Sequence, residues 1–240
     1  MSAETPILPV SFFTPALSPS DVQLRVRWYM CTIIALSSLN YPDVIPHVYT
    51  HFSTHVLSTL PSDDERQRAV AQVREGLIKS TGIVGAARTG NSMRILGSCV
   101  PEALRDTGAS PRSAESEDVA RARGRRFWTN IYARNKDFDP GASVRASPDY
   151  AFVIRDVLYA RIFSFDGIID DLTTGYAIVA GLYGMDCPNQ LQHHMKGMLI
   201  NGATKQDLLE LRKQCLGLAG ILGVKLRYGA APIPEKPSIP

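Results

Sequence analysis

Residues 170–224 read DDLTTGYAIVAGLYGMDCPNQLQHHMKGMLINGATKQDLLELRKQCLGLAGILGV. A first helix is expected from Asp170 to Met185, stopped by Asp186-Cys187-Pro188. A second starts with Pro188 in the first turn, where its missing N–H costs nothing, and runs to Ile200. It ends at Asn201-Gly202, a pair suited to a left-handed cap. Thr204-Lys-Gln-Asp207 has capping-box spacing and opens a third helix reaching Gly220.

The rest of the chain follows the same grammar. Val22 to Leu39 (VQLRVRWYMCTIIALSSL) has no proline or glycine and is mostly apolar, a buried helix with Ser20 or Asp21 as its cap. Tyr41-Pro42 breaks it, and Asp43 to Leu60 reads as another helix, with Pro46 in its first turn. Ser62 followed by Asp63-Asp64-Glu65 is a strong helix start, and that helix is expected to run to about Lys79. Gly82 and Gly85 interrupt it before a helix from Ala86 to Gly97. Arg121 to Arg134 forms a basic helix with an aromatic flank, and Ser147-Pro148 caps another reaching Phe163. No segment reads as a strand, so the fold class is all-α.

The chain has 240 residues, 45% hydrophobic and 20% charged, with a net charge of +3. That composition supplies a core and is too near neutral to make nucleic acid or an anionic membrane surface the default partner. No apolar run reaches the ~18 residues of a membrane span. The N-terminus lacks the basic start and apolar stretch of a signal peptide. Four cysteines without a CxxC spacing indicate reduced thiols, and the expected location is cytoplasmic.

Gly82-Ile-Val-Gly85 echoes Gly220-Ile-Leu-Gly223, and the helix ending at Asn40-Tyr41-Pro42 echoes the one ending at Asp186-Cys187-Pro188. The repeat predicts two helical units, residues 21–105 and 121–228, packed as a pseudo-twofold body. A proline-rich extended arm (residues 1–20), a polar linker (106–120) and a proline-rich tail (229–240) complete the plan.

Cys187 caps the helix that carries His194. A thiol there faces unpaired N–H groups, which favours thiolate. Seven residues return a helix to within ~20° of the same face, so Cys187, Gln190 and His194 are expected to converge. With His193 behind them, they are the best candidates for chemistry in the chain.

The C-x6-H arrangement at Cys187 and His194, followed by Gly197-Met-Leu-Ile-Asn-Gly-Ala-Thr204, resembles the carboxymuconolactone decarboxylase and alkylhydroperoxidase D-like superfamily. The likeness is best over residues 165–224, with a weaker copy over 24–97, as in the two-unit branch common in fungi. It implies a homo-oligomer that acts on a small carboxylated lactone without metal or organic cofactor, with His194 as the acid/base residue. The peroxidase branch has a second cysteine and a glutamate where this chain has Gln190 and Gly175, so a resolving thiol is missing. Asp170, Asp171 or Asp186 could supply a substitute carboxylate. Arg88 and Asn91 resemble a polar pair at that point in the two-unit branch and could bind a substrate carboxylate through the arginine fork.

The expected pocket is lined by Trp28, Tyr29, Tyr176 and Tyr183, and holds a carboxylated, lactone or quinone-like metabolite. Two alternatives stand beside this reading. His47, His51 and His55, spaced four apart, could contribute to a divalent-metal site in a metal-dependent oxygenase or hydrolase. A degenerate, non-catalytic member would have no closed polar pocket around His194. The run Arg121, Arg123, Arg125 and Arg126 is read as a solvated helix face.

Overall fold

The computed structural model describes residues 5–132, 138–229 and 231–236. The N-terminal arm is not wholly extended: α1 (Val10–Leu17) forms with Pro15 inside it. The helix is stabilised by burying Phe13 and Ala16, and Phe13 stacks on His51 with ring centroids 4.0 Å apart. Asp21 then accepts the Gln23 N–H and opens α2 (Val22–Leu39). Asn40 ends α2 in the left-handed region at φ 66°, a conformation its short polar side chain tolerates.

The expected helix at 43–60 is split into a 3-10 turn (Pro42–Val44), α3 (Ile45–His55) and a second 3-10 turn (Leu57–Thr59). Ser62 caps α4 (Asp63–Val84), which continues through Gly82 rather than stopping there. Gly82 is the point where the ring of Phe163 lies against α4. A Cβ there would stand 2.4 Å from its Cζ. α5 (Ala86–Cys99) follows.

The 106–120 segment is not a free linker. It forms α6 (Pro111–Ala114) and the start of α7 (Glu117–Tyr132), and Arg112 grips the buried Glu75 through its two terminal guanidinium nitrogens. The expected end of that basic helix at Arg134 lies outside the described residues. α8 (Ala142–Ala146) and α9 (Pro148–Phe152) lead into a π-helix over Val153–Phe163, with Ser147 capping α9 through the Tyr150 N–H. α10 (Asp171–Gly184), α11 (Pro188–Ile200) and α12 (Lys205–Ile221) complete the fold. Asp170 caps α10, and α12 carries the full reciprocal capping box of Thr204 and Asp207.

The architecture is all-α; no strand occurs among the described residues. α2 and α10 are its centre. Every residue of α2 from Tyr29 to Leu39, and of α10 from Tyr176 to Tyr183, is buried, the mark of helices surrounded on all sides. They pack on each other, and α4 and α12 each contact both. The core cluster runs from Leu8 to Ala231 and draws on both halves of the chain. Tyr41 donates to the Leu222 carbonyl at 3.2 Å, and Gln214 donates to the Trp28 carbonyl at 2.7 Å.

Candidate functional site

His194 sits on the inward face of α11 at 4% exposure. Its Nε2 is 3.1 Å from the Tyr132 hydroxyl, which in turn is 2.8 Å from the Tyr159 hydroxyl. Three elements meet here: α11, the last turn of α7 and the π-helix. Gly124 lets α7 and the π-helix touch, since a Cβ at that position would stand 2.7 Å from the Ala160 Cα. Trp128 packs on Tyr132 and Tyr159, and Phe138 stacks on Tyr132 at 4.1 Å, closing the polar line in an aromatic shell. His193 approaches the edge of the same shell.

All three polar groups are held neutral. Burial, reinforced by His193, pushes the His194 imidazole down to about 3. Burial pushes Tyr132 up to about 12 against the opposing hydrogen bond from Tyr159, and raises Tyr159 further still. A neutral imidazole beside two neutral phenols can run its hydrogen bonds in either order, so the line can pass a proton along without fixing a charge.

The other expected participants lie elsewhere. Cys187 is the cap residue of α11, as expected, but its Sγ turns to the Met185 carbonyl at 3.4 Å. Its thiol is raised rather than lowered: burial and the adjacent Asp186 carboxylate prevail over the helix N-terminus. Gln190 is exposed, so it does not stand between Cys187 and His194 in an enclosed site. Seven residues bring back the direction of a side chain, but they do not choose its partner.

Tyr183 is buried with its hydroxyl 3.5 Å from the Met195 sulfur, and Tyr176 lies under the guanidinium of Arg27. Trp28 and Tyr29 join the Phe12, Phe13 and His51 rings. The four aromatics expected to line one pocket are thus spread over different parts of the core. Arg88 donates to the Ser38 carbonyl at 2.5 Å, and the exposed Asn91 accepts from Arg94 at 2.5 Å. Neither is drawn into the His194 line. Asp170 caps its own helix and Asp186 accepts the Tyr228 N–H, and neither is drawn into the His194 line.

The three histidines of α3 belong to an aromatic cluster. His47 Nδ1 accepts the Leu8 N–H at 3.3 Å. His51 lies between Phe13 and His55, with Nδ1 2.6 Å from the Tyr29 hydroxyl. Burial, then His55 and His47, push His51 down to about 4. Among the described residues no group of three His, Cys, Asp or Glu is placed to hold a metal ion. Within the basic run, Arg121, Arg123 and Arg126 are each ion-paired, to Glu117, Glu115 and Asp166.

Sequence reasoning missed Tyr132 as the partner of His194 and Tyr159 as the next member of the line. Tyr132 was visible only as part of the aromatic flank of a basic helix, and no spacing links 132, 159 and 194. It also missed Lys79, whose buried Nζ donates to the carbonyls of Phe163 and Phe165 and to the Thr174 hydroxyl.

No family model matches the chain, and no solved structure matches it. Two curated relatives do. Peroxisomal protein 2 of Schizosaccharomyces pombe is 28% identical over 199 residues, covering 83% of this chain and 88% of that protein. Peroxisomal protein 2 of Saccharomyces cerevisiae is 22% identical, covering 89% of this chain and 94% of that protein. The names of these relatives overturn the cytoplasmic location expected from cysteine usage. Cysteine usage speaks to redox state, and it does not tell one reducing compartment from another.

Proposed function

We propose that this chain is a peroxisomal protein whose His194–Tyr132–Tyr159 line carries out cofactor-independent acid/base chemistry on a small carboxylated, lactone or quinone-like metabolite. The location comes from the names of the two relatives, and the reaction class from the resemblance to carboxymuconolactone decarboxylases. One observation carries the chemical part. A buried imidazole hydrogen-bonds a buried phenol, which hydrogen-bonds a second, and among the described residues no carboxylate hydrogen-bonds either phenol. Such neutral donors stabilise an enolate or alkoxide as it develops, so His194 acts as a polarising donor and proton relay rather than as a strong base. The two-unit organisation and a homo-oligomeric state belong to the same proposal.

The test is proton exchange. The purified protein is incubated in D2O with carboxylated lactones and quinones, and deuterium entry next to the carbonyl is followed by NMR together with carbon dioxide release. Turnover should fall at least about a hundredfold in His194→Gln and about tenfold in Tyr132→Phe, the range of a lost acid/base partner. Turnover unchanged in both variants refutes the assignment. A non-catalytic role is the second reading, favoured by the turning of Cys187 toward the Met185 carbonyl and the exposure of Gln190. It predicts no exchange with any of these compounds.

A further inference from the structure

The N-terminal ends of α2 and α10 converge with α4 on a cleft of about 390 Å³, within the size range of small-molecule sites. None of its lining residues belongs to the His194 line. Arg27 is its unusual member. The guanidinium lies 4.0 Å above the centroid of the Tyr176 ring and makes no hydrogen bond or ion pair among the described residues. By contrast, Arg112, Arg123 and Arg126 all hold carboxylates. Asp207 senses the charge of Arg27 but is engaged by the Thr204 N–H, the Thr204 hydroxyl and Tyr176. Stacking on an aromatic face orients a guanidinium while leaving its N–H fork open to a ligand.

Asp21 and Asp170 line the same cleft. Each uses Oδ1 to cap its own helix, at 2.7 Å from the Gln23 and Thr173 N–H groups respectively. The Oδ2 of each makes no hydrogen bond among the described residues, so each carboxylate keeps one oxygen without a protein donor in the cleft that Arg27 also lines. Gln72 donates to Gln23 at 2.9 Å and ties α4 to α2 along the wall. Met30, Ile168 and Ile169 supply the apolar lining. A simple anion entering here meets two carboxylates, and a simple cation meets the guanidinium. A molecule carrying both charges satisfies each.

We propose that this cleft binds a small zwitterion, a free α-amino acid with an apolar side chain. The ligand carboxylate takes the Arg27 fork, the ammonium takes the free oxygens of Asp21 and Asp170, and the side chain packs on Met30, Ile168 and Ile169.

The test is isothermal titration calorimetry of the full chain with L-leucine and two analogues of its skeleton. 4-Methylpentanoate lacks the ammonium, and 3-methylbutylamine lacks the carboxylate. Leucine should bind at least about tenfold tighter than either, the size of one charge-assisted contact. Arg27→Gln should weaken leucine about tenfold or more. Asp170→Asn keeps a capping side chain, so it should leave the melting temperature nearly unchanged. It should weaken leucine and tighten 4-methylpentanoate, a reversal that a purely structural role would not give. The analogue series and Asp170→Asn stand even if Arg27→Gln does not fold. Equal binding of all three compounds, tighter binding of 4-methylpentanoate than of leucine, or no heat from leucine up to about 10 mM overturns the proposal.

Discussion

Replacing Lys79 by methionine removes a charge from the interior while nearly preserving length. Lys79 is 1% exposed, and its Nζ lies 2.6, 2.6 and 2.7 Å from the Phe163 carbonyl, the Phe165 carbonyl and the Thr174 hydroxyl. Three donors meet three acceptors and tie α4 to the end of the π-helix and to α10. Burial lowers the lysine to about 8, against the opposing pull of Glu75, so the group is still an ammonium at pH 7. Glu75 is 4.0 Å away and is also held by Arg112, so the variant does not leave that carboxylate unpaired.

The cost then comes from two buried carbonyls left without a donor, about 1–3 kcal/mol each, less what is regained by not burying an ammonium. A net loss of about 2–4 kcal/mol follows. At about 2–4 °C per kcal/mol for a chain of this size, the melting temperature should fall by about 4–16 °C. Circular dichroism melting at pH 7, with urea titration for the free energy, measures it. A loss below about 1 kcal/mol refutes the idea that the ammonium is the pin of this corner.

His194 and His51 are held at about 3 and about 4, against about 6.5 when unfolded. Below that value the unfolded chain binds more protons than the folded one. Their contribution is therefore complete above about pH 6.5 and is lost as pH falls through about 4 to about 3. The melting temperature should drop steadily between pH 6.5 and 4.5, less so in His194→Gln; identical slopes in the two proteins would contradict this. Gly124→Ala places a methyl group 2.7 Å from the Ala160 Cα, an overpacking cost of about 1–3 kcal/mol against about 1 gained in helix propensity. It should destabilise the fold, whereas Gly217→Ala, with nothing within 4 Å of the new methyl, should stabilise it slightly in the same denaturation assay. With its thiol raised by burial and Asp186, Cys187 should alkylate with iodoacetamide at pH 7.5 more slowly than free cysteine; a faster rate, read by mass spectrometry, would restore the thiolate.

The sequence by itself determined the helices and many of their ends, because the signals are local. A capping side chain reaches an N–H only two or three residues away, which is why the Ser20-Asp21 start, Ser62 and the Thr204–Asp207 box were legible before any packing was known. The mostly apolar run of α2 likewise announced a buried helix. Local rules failed where long-range contacts outweigh them. Pro15 sits inside a helix because Phe13 is buried on His51, and α4 runs through Gly82 because that residue makes room for Phe163. The site is the clearest case. Spacing put Cys187, Gln190 and His194 on one face, whereas His194 bonds Tyr132 and Tyr132 bonds Tyr159, residues 62 and 35 positions before His194, on helices that only the tertiary packing brings to α11. Hydrogen-bond partners of a buried side chain are set by which helices meet around it, and helical periodicity carries no record of that meeting.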